Sequence, residues 1–511
     1  MTFASALTAL PNALAAVNPA ISKALHPALV GAARAKGEFP SSLGLVEKLR
    51  LEIGSDAAKP ETVARLASSS PLMALRIVAV ANSAFYVRGN PVETLESAVN
   101  HLGLKRLQGI VEDEAEKKSF QATFLGRAVA SGALQQALIA NILARSLAEG
   151  IAPRSTLADR AFILSSLLRV PSVLLAFLRP SLYSACCLDV GELRSPFERN
   201  FKKFMGESSV AIAVAISEAL SFPLSTATML SYLELPPWNR RGGGKEDVKD
   251  SRQLAYAVFI AQRLADEICR FGGYLPLDSV ISDLSAKSDF EDKQIKLVIG
   301  ELPQRFLAVC SNLGLRPSRL PSYLSNFESK MVGRDGKAVP DAFKFPGIAE
   351  RINPFLYELK ACLNTRTKDD EFGQVPQAIL CTLQALVKGL TFDRAIFFRH
   401  DEVESCLIPV AVFGDRPQDA NLVRRSLGAS GRDFMPDVQA LLQRKTIFQG
   451  DPIFNDDWPL AAFPVTCNGK VEGVFFADKL GKKNALPLDT QEQVAVVALA
   501  EGWHELSPQF R

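Results

Sequence analysis

The feature that most constrains the fold is a change in hydrophobic pattern near residue 350. From about Phe39 to Leu313, apolar residues recur with helical spacing almost without interruption. After Ile352, two more helical segments give way to short runs that are typical of strands. A chain of 511 residues is also too long for one hydrophobic core. The sequence therefore predicts a multidomain protein, all-α first and α+β second.

The helical part carries clear start and stop signals. Ser70 can cap a helix that has Pro71 at its first position. A helix over residues 94–101 is expected to end at Gly103 through a left-handed residue. The longest apolar run, Ala161 to Leu178, contains an arginine and a proline near its midpoint. It predicts a pair of buried helices rather than a membrane span.

The C-terminal part reads as one antiparallel sheet backed by helices. Its strand-like runs are "RAIFFRH", "CLIPVAVFGD", "KTIFQG", "LAAFPVTCNGK" and "VEGVFFADKL". Asn468-Gly469 lies between the last two runs and predicts a hairpin. A final helix is expected to begin at Asp489 or Thr490, either of which can cap it.

These patterns divide the chain into four parts. We expect an N-terminal helical extension over 1–38, a helical domain over 39–313 with its core at about 39–269, a proline-rich linker over 314–350, and a second domain over 351–511. The glycine-rich stretch 239–251 is expected to be a surface loop. The N-terminus has no basic residue before Lys23, so no secretory signal is predicted and the cytoplasm is the expected location.

The composition offers little for catalysis. The formal net charge of +3 argues against a dedicated nucleic-acid binder. The four histidines fall in separate segments, and the eight cysteines show no zinc-ligand spacing. No nucleotide-binding glycine loop, nucleophile elbow or zinc-protease motif is present. His400-Asp401 lies between two strand-like runs, where a turn explains it. No cofactor and no membrane association are expected.

The stretch Ser68 to Val111 resembles the signature of HDOD domains, the HD-related output domains of bacterial signalling proteins. Pro71, the run "ANSAFY", Ala98 and "LGLKRL" match it, whereas Ser70 stands where the family usually has aspartate. The resemblance covers about 39–269. It marks seven residues as structural or partner-contacting: Asn82, Ser83, Phe85, Tyr86, Gly103, Lys105 and Arg106. We expect Asn82 and Ser83 to fix a helix end by bonding to backbone groups.

HDOD domains resemble HD phosphohydrolases that have lost their metal ligands. Aligned with that superfamily, the chain has Gln135, Leu168, Arg169 and Ser209 at the ligand positions. Leucine supplies no donor and arginine brings a positive charge to a site meant for a cation. The resemblance therefore implies that the domain is not an enzyme and holds no metal.

The segment from about Pro354 to Ser507 resembles a GAF domain, through "LTFDRAIFFRHD" near its start and "AAFPVTCNGKVEGVFFADK" near its end. That implies a GAF/PAS-like sensor for a small molecule, a nucleotide or a partner. The whole chain then reads as a non-catalytic signalling protein that acts on other signalling proteins. Two alternatives stay open: a residual cyclic-dinucleotide phosphodiesterase, or a regulator whose GAF domain binds a cyclic nucleotide. The oligomeric state is not predicted.

Overall fold

The structure is a computed structural model of the chain. It describes residues 19–34, 43–86, 91–115, 128–151, 156–188, 196–239, 246–269, 277–315, 347–364, 375–414, 423–428, 432–454, 457–467, 469–480 and 486–504.

Within those ranges the first part of the chain is helical, as predicted. Its helices are α1 (Pro19–Arg34), α2 (Leu43–Ile53), α3 (Pro60–Ala67), α4 (Pro71–Ala81), α5 (Leu95–Leu102), α6 (Leu104–Ala115), α7 (Ala128–Ile151), α8 (Leu157–Leu178), α9 (Pro180–Cys187), α10 (Pro196–Met205), α11 (Ser209–Ala219), α12 (Leu224–Tyr232), α13 (Glu246–Cys269), α14 (Leu277–Lys287) and α15 (Asp292–Leu313).

Local signals fix several of these helix ends. The Ser70 hydroxyl accepts a hydrogen bond from the Met73 amide at 3.3 Å, and Pro71 opens α4 as predicted. Thr94 caps α5 through the Ser97 amide. Gly103 ends α5 with a φ of 72°, but its ψ of 157° lies outside the left-handed helical region that we expected.

Helix α8 corrects one prediction. We expected two helices around Pro171, and the structure has a single helix with the proline inside it. An interior proline costs about 3 kcal/mol. Burial of the residues on both sides, including Leu167 and Leu174, offsets that cost. By length and apolar composition α8 could cross a membrane, but most of it is buried among other helices of the same chain.

One other expectation meets a different outcome. Helix α13 begins at Glu246, inside the stretch 239–251 that we expected to be a loop. Helix α1 packs onto the helical core through Leu25 and Leu29, which are both buried. Most of the expected linker, residues 316–346, lies outside the described residues.

The second part forms a five-stranded antiparallel sheet with helices. It contains α16 (Ile348–Asn364), α17 (Val375–Gln384), a π-helical turn (Ala385–Gly389), β1 (Arg394–Asp401), β2 (Cys406–Gly414), β3 (Arg425–Ser426), α18 (Pro436–Gln443), β4 (Leu460–Cys467), β5 (Lys470–Asp478) and α19 (Thr490–His504). The strand order is β3-β2-β1-β5-β4.

The predicted strand-like runs mostly become strands. β4 and β5 form the expected hairpin, with Gly469 at a φ of 79° in its turn. The run "KTIFQG" contributes only an isolated bridge from Ile447 to Ala462. Asp489 caps α19 by accepting from the Glu492 amide at 2.7 Å.

The sheet separates two cores, and period-two alternation decides which side chain joins which. Phe397 and Phe475 point toward the helices, and the Trp503 indole of α19 packs against Phe475 at 5.5 Å between ring centroids. The buried cluster on this side continues without a break into the helical part of the chain. Ile396 and Phe476 point the other way, into a smaller core that α18 covers.

Candidate functional site

The Arg169 side chain lies at the centre of a polar cluster inside the helical part. Its guanidinium donates to the Asp266 carboxylate at 2.8 Å and to the Gln262 carbonyl at 2.9 Å, both on α13. The Arg169 side chain is only 11% exposed. Asp266 also accepts from the Gln136 side chain of α7 at 3.0 Å. One guanidinium thus joins α8 to α13, and one carboxylate joins both to α7.

A second carboxylate completes this Arg169 cluster. Glu198 of α10 accepts a short hydrogen bond from the Ser209 hydroxyl at the start of α11. Burial raises the pKa of Glu198, and the Ser209 hydrogen bond partly offsets that effect. The negative charge of Asp266 raises it further and the positive charge of Arg169 lowers it. The Arg169 cluster therefore places one permanent cation within electrostatic range of two carboxylates.

Further side chains hold this arrangement in place. The Gln262 amide donates to the Ser165 hydroxyl at 2.8 Å, which fixes the turn of α13 that presents its carbonyl to Arg169. One turn of α7 away, the Asn141 amide donates to the Ser166 hydroxyl at 2.8 Å, and both residues are buried. Such interior hydrogen bonds favour one register between helices that otherwise meet through apolar surface.

The cluster can be compared with the positions that the HD alignment marked. Arg169 and Ser209 belong to it, and Leu168 packs with the apolar core. Gln135 donates to Ser131 of its own helix, while its neighbour Gln136 contacts Asp266. Among the described residues, no group of three or more His, Cys, Asp or Glu side chains could hold a metal ion. The Arg169 cluster does not fit a divalent cation, because the Asp266 carboxylate already forms an ion pair with the Arg169 guanidinium.

Sequence reasoning missed Asp266, Glu198 and Gln136. Asp266 follows Arg169 by 97 positions and stands in an ordinary amphipathic helix. Glu198 sits in a short segment with no motif around it. Arg169 itself was the available signal, since a buried arginine requires a carboxylate partner somewhere in the fold.

The "ANSAFY" stretch combines a buried hydrogen-bonded corner with an exposed aromatic side chain. The Asn82 amide donates to the Val92 carbonyl at 2.8 Å and accepts from the Val92 amide at 2.7 Å. The Ser83 hydroxyl donates to the Val80 carbonyl at 2.8 Å. Both residues therefore bond to backbone at the end of α4, as predicted. The pair of bonds from Asn82 pins the entry to α5 against the exit from α4.

Next to this corner lies an exposed surface formed by Phe85, Tyr86, Lys105 and Arg106, here called the Phe85 surface. Phe85 is 81% exposed and packs edge-on against Tyr86, with 4.8 Å between ring centroids. The Arg106 guanidinium lies 4.5 Å from the Tyr86 ring centroid, and His101 contacts the Tyr86 carbonyl at 2.8 Å. The surface thus presents an aromatic ring beside basic side chains.

The two parts of the chain meet through buried polar contacts as well as apolar ones. Glu358 of α16 is buried and accepts from the Val129 amide in the first turn of α7 at 3.0 Å. Its other oxygen accepts from the Gln377 amide of α17, also at 3.0 Å. A carboxylate at the beginning of a helix satisfies a backbone donor that has no partner within the helix. Glu358 therefore fastens the second part to α7, one of the two longest described helices of the first.

The smaller core of the sheet ends at a buried charged group. Arg394 is fully buried and donates to Asp478 at 3.0 Å and to Asp457 at 2.9 Å. The Arg394 guanidinium lies 3.8 Å from the Phe454 ring centroid. Burial raises the pKa of Asp478 to about 7 against the opposing effect of Arg394. This group ties β1, β5 and the segment before β4 together.

Comparison with known proteins identifies the helical part. The family model of the HDOD domain matches residues 39–236. No curated protein matches the chain at a significant level. Several solved structures are similar at low identity, and three of them illustrate the likeness. The MmoQ response regulator of Methylococcus capsulatus is 15% identical, with coverage of 52% of this chain and 98% of that one and a TM-score of 0.39.

The second structure is an HDOD domain protein of Geobacter sulfurreducens, 18% identical over 55% of this chain and 97% of that one, with a TM-score of 0.27. The third is the GAF domain of an Acinetobacter phosphoenolpyruvate-protein phosphotransferase, 13% identical over 30% and 89%, with a TM-score of 0.23. The antiparallel sheet of the second part is compatible with a GAF fold. The family match and the helical architecture lead to one identification: residues 39–236 of this chain are an HDOD domain.

Proposed function

We propose that this protein is a cytoplasmic, non-catalytic signalling protein that acts through protein–protein contacts. Its HDOD domain is the interaction module, and its GAF-like second part senses a ligand or a partner. The observation that carries the proposal is the ion pair between Arg169 and Asp266 at the centre of the helical domain.

The chemistry of that ion pair opposes metal-dependent hydrolysis. A divalent ion needs several carboxylate or imidazole donors that converge on one point. Arg169 takes up the Asp266 carboxylate, and Glu198 is held by Ser209. A metal ion entering between these carboxylates would face a guanidinium that keeps its proton and its positive charge near neutral pH. The internal cation then does structurally what a metal does in a catalytic relative, by holding three helices to one centre.

The Phe85 surface is the contact that we propose for a partner. Its ring is 81% exposed in a stretch that the rest of the fold holds rigidly through Asn82. Aromatic and arginine side chains contribute most strongly to protein interfaces. The adjacent Lys105 and Arg106 favour a partner with acidic side chains.

The continuous core between the two parts supports signal transfer. Glu358 and the apolar cluster join the second part directly to α7, which also carries Gln136 of the Arg169 cluster. A ligand that favours one packing of this contact would shift the helical domain by its differential affinity for the two states.

A metal and activity measurement on the full chain tests the proposal. We expect metal analysis of the purified protein to find less than one bound manganese or iron per chain. We also expect no hydrolysis of cyclic dinucleotides with either metal added. Turnover that disappears in Asp159→Asn or Glu192→Gln would establish the alternative, a residual phosphodiesterase. Glu192 lies outside the described residues.

A partner capture experiment tests the positive half of the proposal. Full-length chain and Phe85→Ser chain, both immobilised, are exposed to lysate of the native bacterium. Phe85 is exposed, so the substitution leaves the core intact. A signalling protein retained by the first and not the second supports the Phe85 surface. Equal retention by both rejects it. Calorimetry of the full chain with cyclic mononucleotides tests the other alternative, a GAF domain that binds a cyclic nucleotide.

A further inference from the structure

Two polar side chains of the second part face the HDOD domain without the partners that burial normally demands. Gln384, the last residue of α17, is 1% exposed, and neither its side-chain oxygen nor its nitrogen has a hydrogen-bond partner in the structure. Lys388 lies one turn further, in the π-helical turn. Among the described residues, no carboxylate lies within ion-pair distance of its ammonium group, and the Phe413 ring centroid is 5.4 Å away.

Both side chains point at the same place on α7. A methyl group built on Gly132 would lie 3.5 Å from the Lys388 ammonium and 3.6 Å from the Gln384 amide nitrogen. The three nearest atoms to that position, outside the backbone of α7, belong to these two side chains. The missing side chain of Gly132 therefore leaves room for at least one methyl-sized group between an ammonium and an amide.

The surroundings of Lys388 make its positive charge costly in free energy unless a negative charge balances it. Lys388 is half-buried, and burial lowers its pKa. The neighbouring Cys187 is buried and Cys269 is half-buried, and desolvation raises the pKa of the Cys269 thiol to about 12. Neutral thiols supply no negative charge. An unpaired buried amide costs about 1–3 kcal/mol, so both groups gain from an added acceptor.

The position also lies between the sensor part and the Arg169 cluster. Cys269 is the last residue of α13, which carries Asp266 and Gln262, and it feels the charges of both Lys388 and Arg169. A π-helical turn holds an extra residue in the helix and occurs frequently at functional sites. Lys388 thus stands where a change in charge reaches both domains.

We propose that Lys388 and Gln384, opposite Gly132, bind an anionic oxygen of a small ligand, a carboxylate or a phosphate group. The ammonium supplies the charge and the amide donates a hydrogen bond. This inference rests on the proposed function in treating the second part as the sensor. The proposed function and the anion site can be refuted independently. Catalytic turnover would refute the proposed function and leave anion binding at this place unaffected.

Titration of the full chain with inorganic phosphate and, separately, with acetate tests the proposal, with chloride at equal ionic strength as reference. The readout is the unfolding temperature. We expect at least one of the two anions to raise it, and Lys388→Met to weaken that anion's binding by about tenfold or more, the value of a charged hydrogen bond. The anion that stabilises more strongly identifies the ligand class.

Gly132→Ala provides the second variant. Its methyl group fits at ordinary contact distances and improves helix propensity, so the unliganded chain should unfold no earlier than wild type. The same methyl group occupies the proposed site and should remove most of the anion effect. Lys203→Met, at an exposed lysine of α10, should keep the full effect. No anion shift in the wild-type chain, or an equal shift in Lys388→Met and Gly132→Ala, overturns the proposal.

Discussion

Replacing Glu358 should weaken the contact between the two parts of the chain. In Glu358→Ala, the Val129 amide and the Gln377 side chain each lose a carboxylate acceptor at 3.0 Å. A buried donor left without an acceptor costs about 1–3 kcal/mol. We therefore expect the free energy of unfolding of the second part to fall by about 3 kcal/mol.

Glu358→Gln should cost about half as much. The amide keeps one oxygen for the Val129 amide, but its nitrogen meets the Gln377 nitrogen, so one of the two bonds is lost. Glu218→Ala removes a carboxylate from an exposed helical position and serves as the matched control, with an expected change below about 0.5 kcal/mol.

Urea unfolding followed by tryptophan fluorescence measures the effect, because Trp503 is fully buried in the second part. Hydrogen exchange at the Val129 amide gives a local reading of the same contact. If Glu358→Ala unfolds with the wild-type midpoint and Val129 stays equally protected, the carboxylate does not join the two parts.

Three further outcomes follow from single contacts. Asn82→Ala should lower the free energy of unfolding by about 2 kcal/mol, because both its bonds to Val92 are lost; a urea midpoint equal to that of wild type would contradict this. Arg394→Lys should destabilise the second part by about 3 kcal/mol, since one ammonium cannot reproduce the two-nitrogen fork that the guanidinium makes with Asp478, and calorimetry would show an unchanged transition if the ion pairs contribute nothing. Burial raises the pKa of the Cys269 and Cys310 thiols to about 12, so at pH 8 roughly one thiol in 10,000 is ionised. Peptide mass spectrometry should find both unalkylated by iodoacetamide in the folded chain; modification at the rate of urea-unfolded chain would refute the burial.

Local chemistry predicted the elements well and their partners poorly. Ser70, Asp489 and the turn at Gly469 act through neighbours three or fewer residues away, so the sequence shows them directly. The prediction at Pro171 was wrong because packing against distant residues decides the outcome there. Its intrinsic preference breaks helices, and only the burial that surrounds α8 overrides it.

The candidate site divides in the same way. Bonding of Asn82 to backbone groups was predicted from its place at a helix end, and its partner Val92 lies only ten residues further along the chain. The partner of Arg169 lies on a helix about a hundred residues away, and Lys388 faces a glycine more than 250 positions earlier. Periodicity shows which face of a helix is buried but not which helix it meets. A single sequence therefore predicted that Arg169 stands at a metal-ligand position of the HD superfamily without revealing which side chain it would contact.

The outer strand of the sheet has a consequence for aggregation. β4 is at the edge, and both backbone groups of Ala462 point outward, where Ile447 binds them. Along an edge strand, the backbone groups of every second residue point outward. Pro464 therefore points outward like Ala462, and it has no amide hydrogen to donate. At the opposite edge β3 is only two residues long. Within the described part of the sheet, a second chain thus finds no continuous row of donors and acceptors at either edge on which to extend it.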